Sequence, residues 1–228
     1  MERVAEYYYN QVFLCLGACV CKERNLHSIA MLKKKVAIFV DAGNLWSSYI
    51  EMGKVLDFQK LNGFIESKFD GESFRTFYYV AYPKEGTREK EDIDRLHKFC
   101  TFLKRGLGFV VVKKELKTIF LRDQEGELVY DESGEPKSRE KGNFDVEITM
   151  DALRYSSSYD IAVFFTGDSD FLPLISYLRN LKQPKQVYIF STQGCVSHEL
   201  RTGTNGYFDL HNCGEIHGND LMHRKNSP

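Results

Sequence analysis

Short apolar runs rich in β-branched and aromatic residues alternate with helical stretches along most of this 228-residue chain, and no other feature limits its fold as tightly. Val36-Ala37-Ile38-Phe39-Val40 is apolar at every position, the pattern of a strand covered on both faces and hence of a parallel sheet with helices above and below. Further strands are predicted at Phe74 to Tyr82, Phe109 to Val112, Ile161 to Phe165 and Gln186 to Phe190, with an edge segment at Tyr207 to Leu210. Helices are predicted from Leu45 to Gly53, through Phe58, Leu61, Phe64, Ile65 and Phe69, and through Ile93, Leu96, Phe99, Cys100 and Leu103. Three more follow, from Phe144 to Ser157, from Phe171 to Leu181 and near Ser197 to Arg201. The expected fold class is α/β, one domain with a mostly parallel central sheet and helices on both faces.

Residues 35–210 carry this alternation, and only residues 113–142 break it. There Ile119-Phe120-Leu121 and Leu128-Val129-Tyr130 flank Asp123-Gln124-Glu125-Gly126, which predicts a β-hairpin followed by a polar loop as a surface insertion. Residues 1–34 are expected to form a poorly ordered N-terminal extension and residues 211–228 a polar tail. The apolar run of the extension, Val12 to Cys21, has ten residues, against roughly twenty for a membrane span. Leu16-Gly17-Ala18-Cys19 looks like a lipobox, but Glu2 and Glu6 against Arg3 make a poor export signal. Cys15, Cys19 and Cys21 crowd one segment while Cys100, Cys195 and Cys213 are scattered, a usage that suits a reducing, cytoplasmic compartment. Thirty-one Lys+Arg against thirty-two Asp+Glu exclude a polybasic binder, so any nucleic-acid contact must rest on a local patch.

Ligands of an open parallel sheet bind beyond the carboxyl ends of its strands, so the residues that follow each apolar run carry the functional signal. Asp41 ends the first strand, and the fourth ends in Thr166-Gly167-Asp168-Ser169-Asp170. The preceding helix begins with Lys141-Gly142-Asn143-Phe144-Asp145, and because helix and strand run antiparallel, Asp145 joins the same rim. Taken singly, Asp41 and Asp168 suit turns or helix caps, Asp170 a cap for the helix at Phe171, and Asp145 its own helix dipole. Together they repel by about 1 kcal/mol per pair at 4 Å even in bulk water, and something positive must sit among them. All-oxygen ligation is what Mg²⁺ or Mn²⁺ prefers, and such an ion makes a carboxylate cluster a phosphodiester-cleaving centre. Asp151, about 9 Å along the helix from Asp145 and about 120° around it, is expected to support the site without sharing the metal.

Three ordered segments, Ile38-Phe39-Val40-Asp41-Ala42-Gly43-Asn44, Lys141-Gly142-Asn143-Phe144-Asp145-Val146 and Thr166-Gly167-Asp168-Ser169-Asp170-Phe171-Leu172-Pro173-Leu174, resemble the motifs of the NYN domain, the LabA-like branch of the PIN-like nuclease superfamily. The resemblance runs from roughly Lys35 to Leu210. It implies a PIN-like, Rossmann-like fold in which Asp41, Asp145, Asp168 and Asp170 are both catalytic and metal-binding, with Asn44 orienting the loop and Thr166, Ser169 and Asp151 in support. The implied activity is that of a metal-dependent endoribonuclease hydrolysing phosphodiester bonds in single-stranded RNA. Asn143-Phe144 departs from the family habit of one small apolar residue before the aspartate. RNA is then expected to cross a basic rim drawn from Lys113, Lys114, Lys117, Arg139 and Lys141, Lys141 lying one helical turn before Asp145.

Other readings stay open. A haloacid-dehalogenase-like phosphatase needs a second Asp two residues after its nucleophile, and Asp41 is followed by Ala42-Gly43. A non-catalytic domain that binds RNA or a protein partner, with its carboxylates holding a structural metal, keeps every residue above, and so does a homo-oligomer. His211, Cys213, His217 and His223 fit no compact zinc finger.

Overall fold

A strand without one polar interior residue can only sit in the middle of a sheet, and that is where Val36 to Val40 lies, each residue at most 1% exposed. The structure is a computed structural model that describes residues 33–220; the first 32 residues, with Cys15, Cys19 and Cys21, and residues 221–228, with His223, lie outside the described residues. In chain order the elements are β1 (Lys34–Asp41), α1 (Ala42–Met52), β2 (Lys54–Leu56), α2 (Phe58–Phe69), β3 (Gly71–Tyr82), α3 (Lys90–Gly106), β4 (Val110–Glu115), β5 (Lys117–Phe120) and β6 (Ser138–Lys141). They continue as α4 (Asp145–Arg154), β7 (Ile161–Phe165), α5 (Leu172–Arg179), β8 (Gln186–Ser191), α6 (His198–Thr202), β9 (Gly206–Asp209) and β10 (His217–Asp220).

Six strands form the central sheet in the order β4-β3-β1-β7-β8-β9, and every neighbouring pair is parallel. The first half of the domain builds outward from β1 on one side and the second half from β7 on the other, so the strand order reverses between β1 and β7. The period of two divides the core into two layers. Val36, Ile38 and Val40 with Ile161, Val163 and Phe165 face one layer, which includes Leu45, Leu61, Ile65 and Leu103 of α1, α2 and α3. Ala37 and Phe39 with Ala162 and Phe164 face the other, with Ile148 and Ala152 of α4 and Ile175 and Leu178 of α5. Phe39 stacks between Phe77 and Phe164 at centroid distances of 5.1 and 4.9 Å, so aromatic packing crosses three adjacent strands. Among the described residues no helix is long and apolar enough to cross a membrane.

Two regions differ from the sequence expectation. The 113–142 insertion keeps the predicted turn, the Val129 N–H donating to Leu121 O at 3.0 Å and Arg122 bridging antiparallel to Leu128, but the pairing of the two triplets goes no further. Instead β5 pairs antiparallel with β6, Lys117 opposite Lys141 and Ile119 opposite Arg139. Between them lie two near-copies of one turn, Asp123 to Glu127 and Asp131 to Glu135, in which the first Asp Oδ1 accepts from the backbone N–H of the residues two and four further on. Self-contained Asx turns of this kind fix the path locally, so the exposed apolar residues do not set the register.

The second difference is beyond residue 210. The expected polar tail begins as packed structure: Cys213 and Ile216 are buried in the core, the Asp57 backbone N–H donates to Ile216 O at 2.8 Å, and β10 pairs antiparallel with β2. Two isolated apolar residues in a polar stretch make no periodic signal, which is why pattern reading passes over them. Ile216→Ala should therefore cost about 2–5 kcal/mol of stability, as for other fully buried aliphatic truncations. Urea unfolding followed by far-UV circular dichroism checks it, and an unchanged midpoint would return the segment to the status of a tail.

Candidate functional site

The register Val40↔Phe165 sets Asp41 beside Thr166 at the carboxyl ends of the two central strands. Both strands end in a capping aspartate. Asp41, 8% exposed, is the N-cap of α1, its Oδ1 accepting from the Gly43 and Asn44 backbone N–H groups at 3.0 and 3.4 Å. Asp168 caps the 3₁₀ turn Ser169–Phe171, its Oδ1 accepting from the Asp170 N–H at 3.0 Å, while its own N–H donates to Thr166 Oγ1 at 3.3 Å. Burial raises the Asp41 pKa, opposed by hydrogen bonds from Asn44 and Gly43, and the Asp145 carboxylate raises it further.

Asn44 joins the two strand ends. Its Nδ2 donates to Asp41 Oδ2 at 2.7 Å and its Oδ1 accepts from the Gly167 N–H at 3.4 Å. Gly167 has no room for a side chain, since a Cβ there would stand 1.8 Å from the Cys195 carbonyl oxygen. The loop 192–195 is pressed against this point by Glu51 at the end of α1. Glu51 accepts from Thr192 Oγ1 at 2.6 Å, the Gly194 N–H at 3.1 Å and Cys195 Sγ at 3.3 Å.

Asp145, first residue of α4, is held by Asn143 on both sides: Asn143 Nδ2 donates to Asp145 Oδ2 at 2.6 Å, and Asn143 Oδ1 accepts the Asp145 N–H at 2.7 Å. The result is a triad in which one carboxylate oxygen each of Asp145, Asp168 and Asp170 lies within 4.8 Å of the others. Among the described residues none of the three forms a salt bridge. Asp41 stands beside the triad without joining it. The donor set is all carboxylate oxygen, which fits Mg²⁺ or Mn²⁺ and not a soft metal.

The remaining residues expected at the site divide. Thr166 is buried and Ser169 exposed, both on the loop that presents Asp168. Asp151 turns toward the sheet, accepting from Tyr79 Oη at 3.0 Å and Arg154 Nη1 at 3.1 Å, so it fixes α4 against β3. Lys113 and Lys114, neighbours on β4, point to opposite faces. Lys113 meets His97 of α3 at 3.3 Å, while Lys114 reaches the α4 side, pairing with Glu147 and donating to Asn143 O at 3.1 Å. Lys114, Lys117 and Lys141 line one pocket of about 260 Å³ with Asn143 and Gly142. Arg139 shares the exposed face of Lys141, two residues along β6. Lys113 is the one member of the expected rim that the structure takes away from it. Pattern reading did not find Asn143 as the clamp on Asp145, nor Glu51, because neither lies at a strand end.

Residues 35–211 match the NYN domain. The chain belongs to the NYN domain family. It is 26% identical over 182 residues to the low amplitude and bright protein LabA of Synechococcus elongatus, covering 80% of this chain and 87% of that one. Among solved structures it resembles a protein of unknown function from Vibrio parahaemolyticus with a TM-score of 0.58 and 19% identity, over 84% of this chain and all of the other, which speaks for the fold. This NYN domain is thus LabA-like over most of its length, and its three clustered aspartates could hold a metal ion.

Glu51 gives the site a pH signature. The Thr192 hydroxyl chiefly, aided by the Gly194 N–H, the Cys195 thiol and the His211 charge and opposed by burial, lowers its pKa. A depressed acid contributes stability above its unfolded pKa, about 4.3, and loses it as pH falls through the folded value. Glu51→Gln should therefore be less stable than wild type at pH 7, with the difference closing toward pH 3. Equal urea midpoints at pH 7 would show that Glu51 does not hold the loop.

Proposed function

We propose that this NYN domain is a divalent-metal-dependent endoribonuclease that hydrolyses phosphodiester bonds in single-stranded RNA in the cytoplasm. The observation that carries the reading is the triad Asp145, Asp168 and Asp170 at the β1/β7 switch point, three mutually repelling carboxylates without a cationic partner among the described residues. These three would hold Mg²⁺ or Mn²⁺, with Asp41 adding negative charge at its edge. When bound, the ion supplies positive charge to phosphate oxygens and favours ionisation of a water. Asn143 keeps Asp145 aimed at the triad, the Thr166 hydroxyl and the Asp170 N–H fix Asp168, and Asn44 ties the two strand ends so that the carboxylates keep their spacing. Lys114, Lys117, Lys141 and Arg139 supply the basic flank for the substrate backbone. The free state of Cys100, Cys195 and Cys213 suits a reducing compartment.

One observation favours a second reading, a non-catalytic domain that binds RNA or a protein. Both oxygens of Asp41 are engaged in capping α1 and holding Asn44, a sufficient structural reason for that residue.

Mutation separates the two. Asp168→Asn preserves the shape and the cap but removes a charge from the triad, so Mn²⁺-dependent cleavage of a short single-stranded RNA should fall by more than about 100-fold, the upper range for loss of outer partners of a metal site. Asp41→Asn should also lose cleavage, while Asp151→Asn should cost less than either, because Asp151 bonds Tyr79 and Arg154. RNA binding in chelator should survive all three. Cleavage by Asp168→Asn protein at the wild-type rate would assign the activity to another site or to a contaminant.

Lys141→Ala should weaken RNA binding and reduce the slope of log K against log salt by about 0.7, the share of one single-strand phosphate contact. A salt series of binding isotherms reads the slope, and an unchanged value removes Lys141 from the contact surface.

A further inference from the structure

Next to the acids lies a cavity of about 570 Å³ that the cleavage chemistry does not use. Its walls are mainly apolar and aromatic, including Trp46, Tyr49, Phe58, Phe99 and Phe144. Its volume falls within the range of about 300–1,000 Å³ usual for small-molecule sites. We infer that this cavity receives one unstacked nucleobase of the nucleic-acid strand whose phosphate lies at the triad; the inference rests on the nuclease reading and names how the strand is held.

Three observations converge on this occupant. The first is position: Ala42 and Gly43, which line the cavity, directly follow Asp41, and Phe144, which also lines it, directly precedes Asp145. The second is charge. Gly142 lines both this apolar cavity and the pocket of Lys114, Lys117 and Lys141, so an apolar space, a basic pocket and the acidic triad meet along residues 142–145. A nucleotide has the matching pair of parts, a flat ring and a phosphate anion. A lipid tail or a hydrophobic peptide would satisfy the cavity and leave Lys117 and Lys141 beside it without a role.

The third observation is Trp46, which lines the cavity yet is 52% exposed. It packs edge-on against Tyr49 at 6.3 Å between centroids, leaving it placed as a platform for a base, in the way single-strand binding sites use aromatic side chains. A base inside the cavity is unpaired and unstacked, so this geometry selects single strands over duplex.

Trp46 is the sole tryptophan, so its fluorescence reports the cavity directly. The full-length protein, with metal removed by EDTA, is titrated with an eight-nucleotide single-stranded RNA and with the same RNA carrying one abasic ribose at each position in turn. Saturable quenching of Trp46 is expected, together with one position at which the abasic residue weakens binding about tenfold or more, the scale of losing a base–aromatic stack. Val55→Phe, which fills the cavity, should remove the quenching. Trp46→Leu, at an exposed position that tolerates the change, should weaken binding of a fluorescein-labelled RNA by a similar factor.

Abasic RNAs that bind and are cut like the intact strand at every position would overturn the base pocket while leaving metal-dependent cleavage standing. Base-dependent quenching without Mn²⁺-dependent cleavage would support the pocket and overturn the nuclease reading instead. Duplex RNA that quenches Trp46 as strongly as single-stranded RNA would also overturn the pocket.

Discussion

The side-by-side pairing of β1 and β7 governs everything that follows in this fold. Both strands are apolar on both faces, so neither can accommodate a charged residue until it leaves the sheet. Where they end together, the backbone turns into a helix or a 3₁₀ turn whose first N–H groups need acceptors. Aspartate meets that need at Asp41 and again at Asp168. The carboxylates that terminate the two strands locally are therefore the same ones that make the rim acidic, and the site arises from the way the strands stop.

That economy has an electrostatic cost. Hydrogen bonds from the caps lower the Asp41 pKa, while burial and the nearby Asp145 raise it, and burial outweighs the caps. Asn143 holds Asp145 at the cluster, donating to its carboxylate and accepting from its backbone N–H. A fold optimised for stability alone would let Asp145 swing away. Holding it in place makes sense when a cation or a cationic partner completes the cluster.

Much of this was legible before any coordinates. Runs apolar at every position identify the two central strands, and the rule that ligands gather at strand carboxyl ends singles out Asp41, Asp168 and Asp170, with Asp145 following from helix direction. What escaped the pattern did so for physical reasons. Register in residues 113–142 depends on two Asx turns, so the apolar triplets locate the first turn, where Val129 meets Leu121, but not the partners of Ile119 and Phe120. Ile216 is one buried side chain among polar neighbours, with no period to detect. Lys113 and Lys114 were separable in principle, because neighbours on a strand face opposite ways, but only once β4 is known to extend to Glu115. The aromatic cavity was beyond reach, since its walls come from α1, β2, α2, β3, α3 and the segment before α4, each of which reads alone as ordinary core.

The segment Gly142-Asn143-Phe144-Asp145 shows why these features belong together. Gly142 borders the basic pocket and the aromatic cavity, Asn143 borders the basic pocket and clamps Asp145, Phe144 walls the cavity, and Asp145 enters the triad. Four consecutive residues thus set the spacing between the places for a base, a phosphate and a cation. Phe144 is buried and packs tilted against Tyr79 at 5.9 Å, so the segment is anchored to β3. Asn143 and Phe144 divide the work: the amide supplies the clamp, and the large ring supplies the cavity wall. With the spacing fixed by backbone, a base seated in the cavity puts the phosphate at the triad at a constant offset along the strand, whichever base it is. On the proposed reading, the position of cutting is thereby set by segment 142–145 and the hold on the base by Trp46.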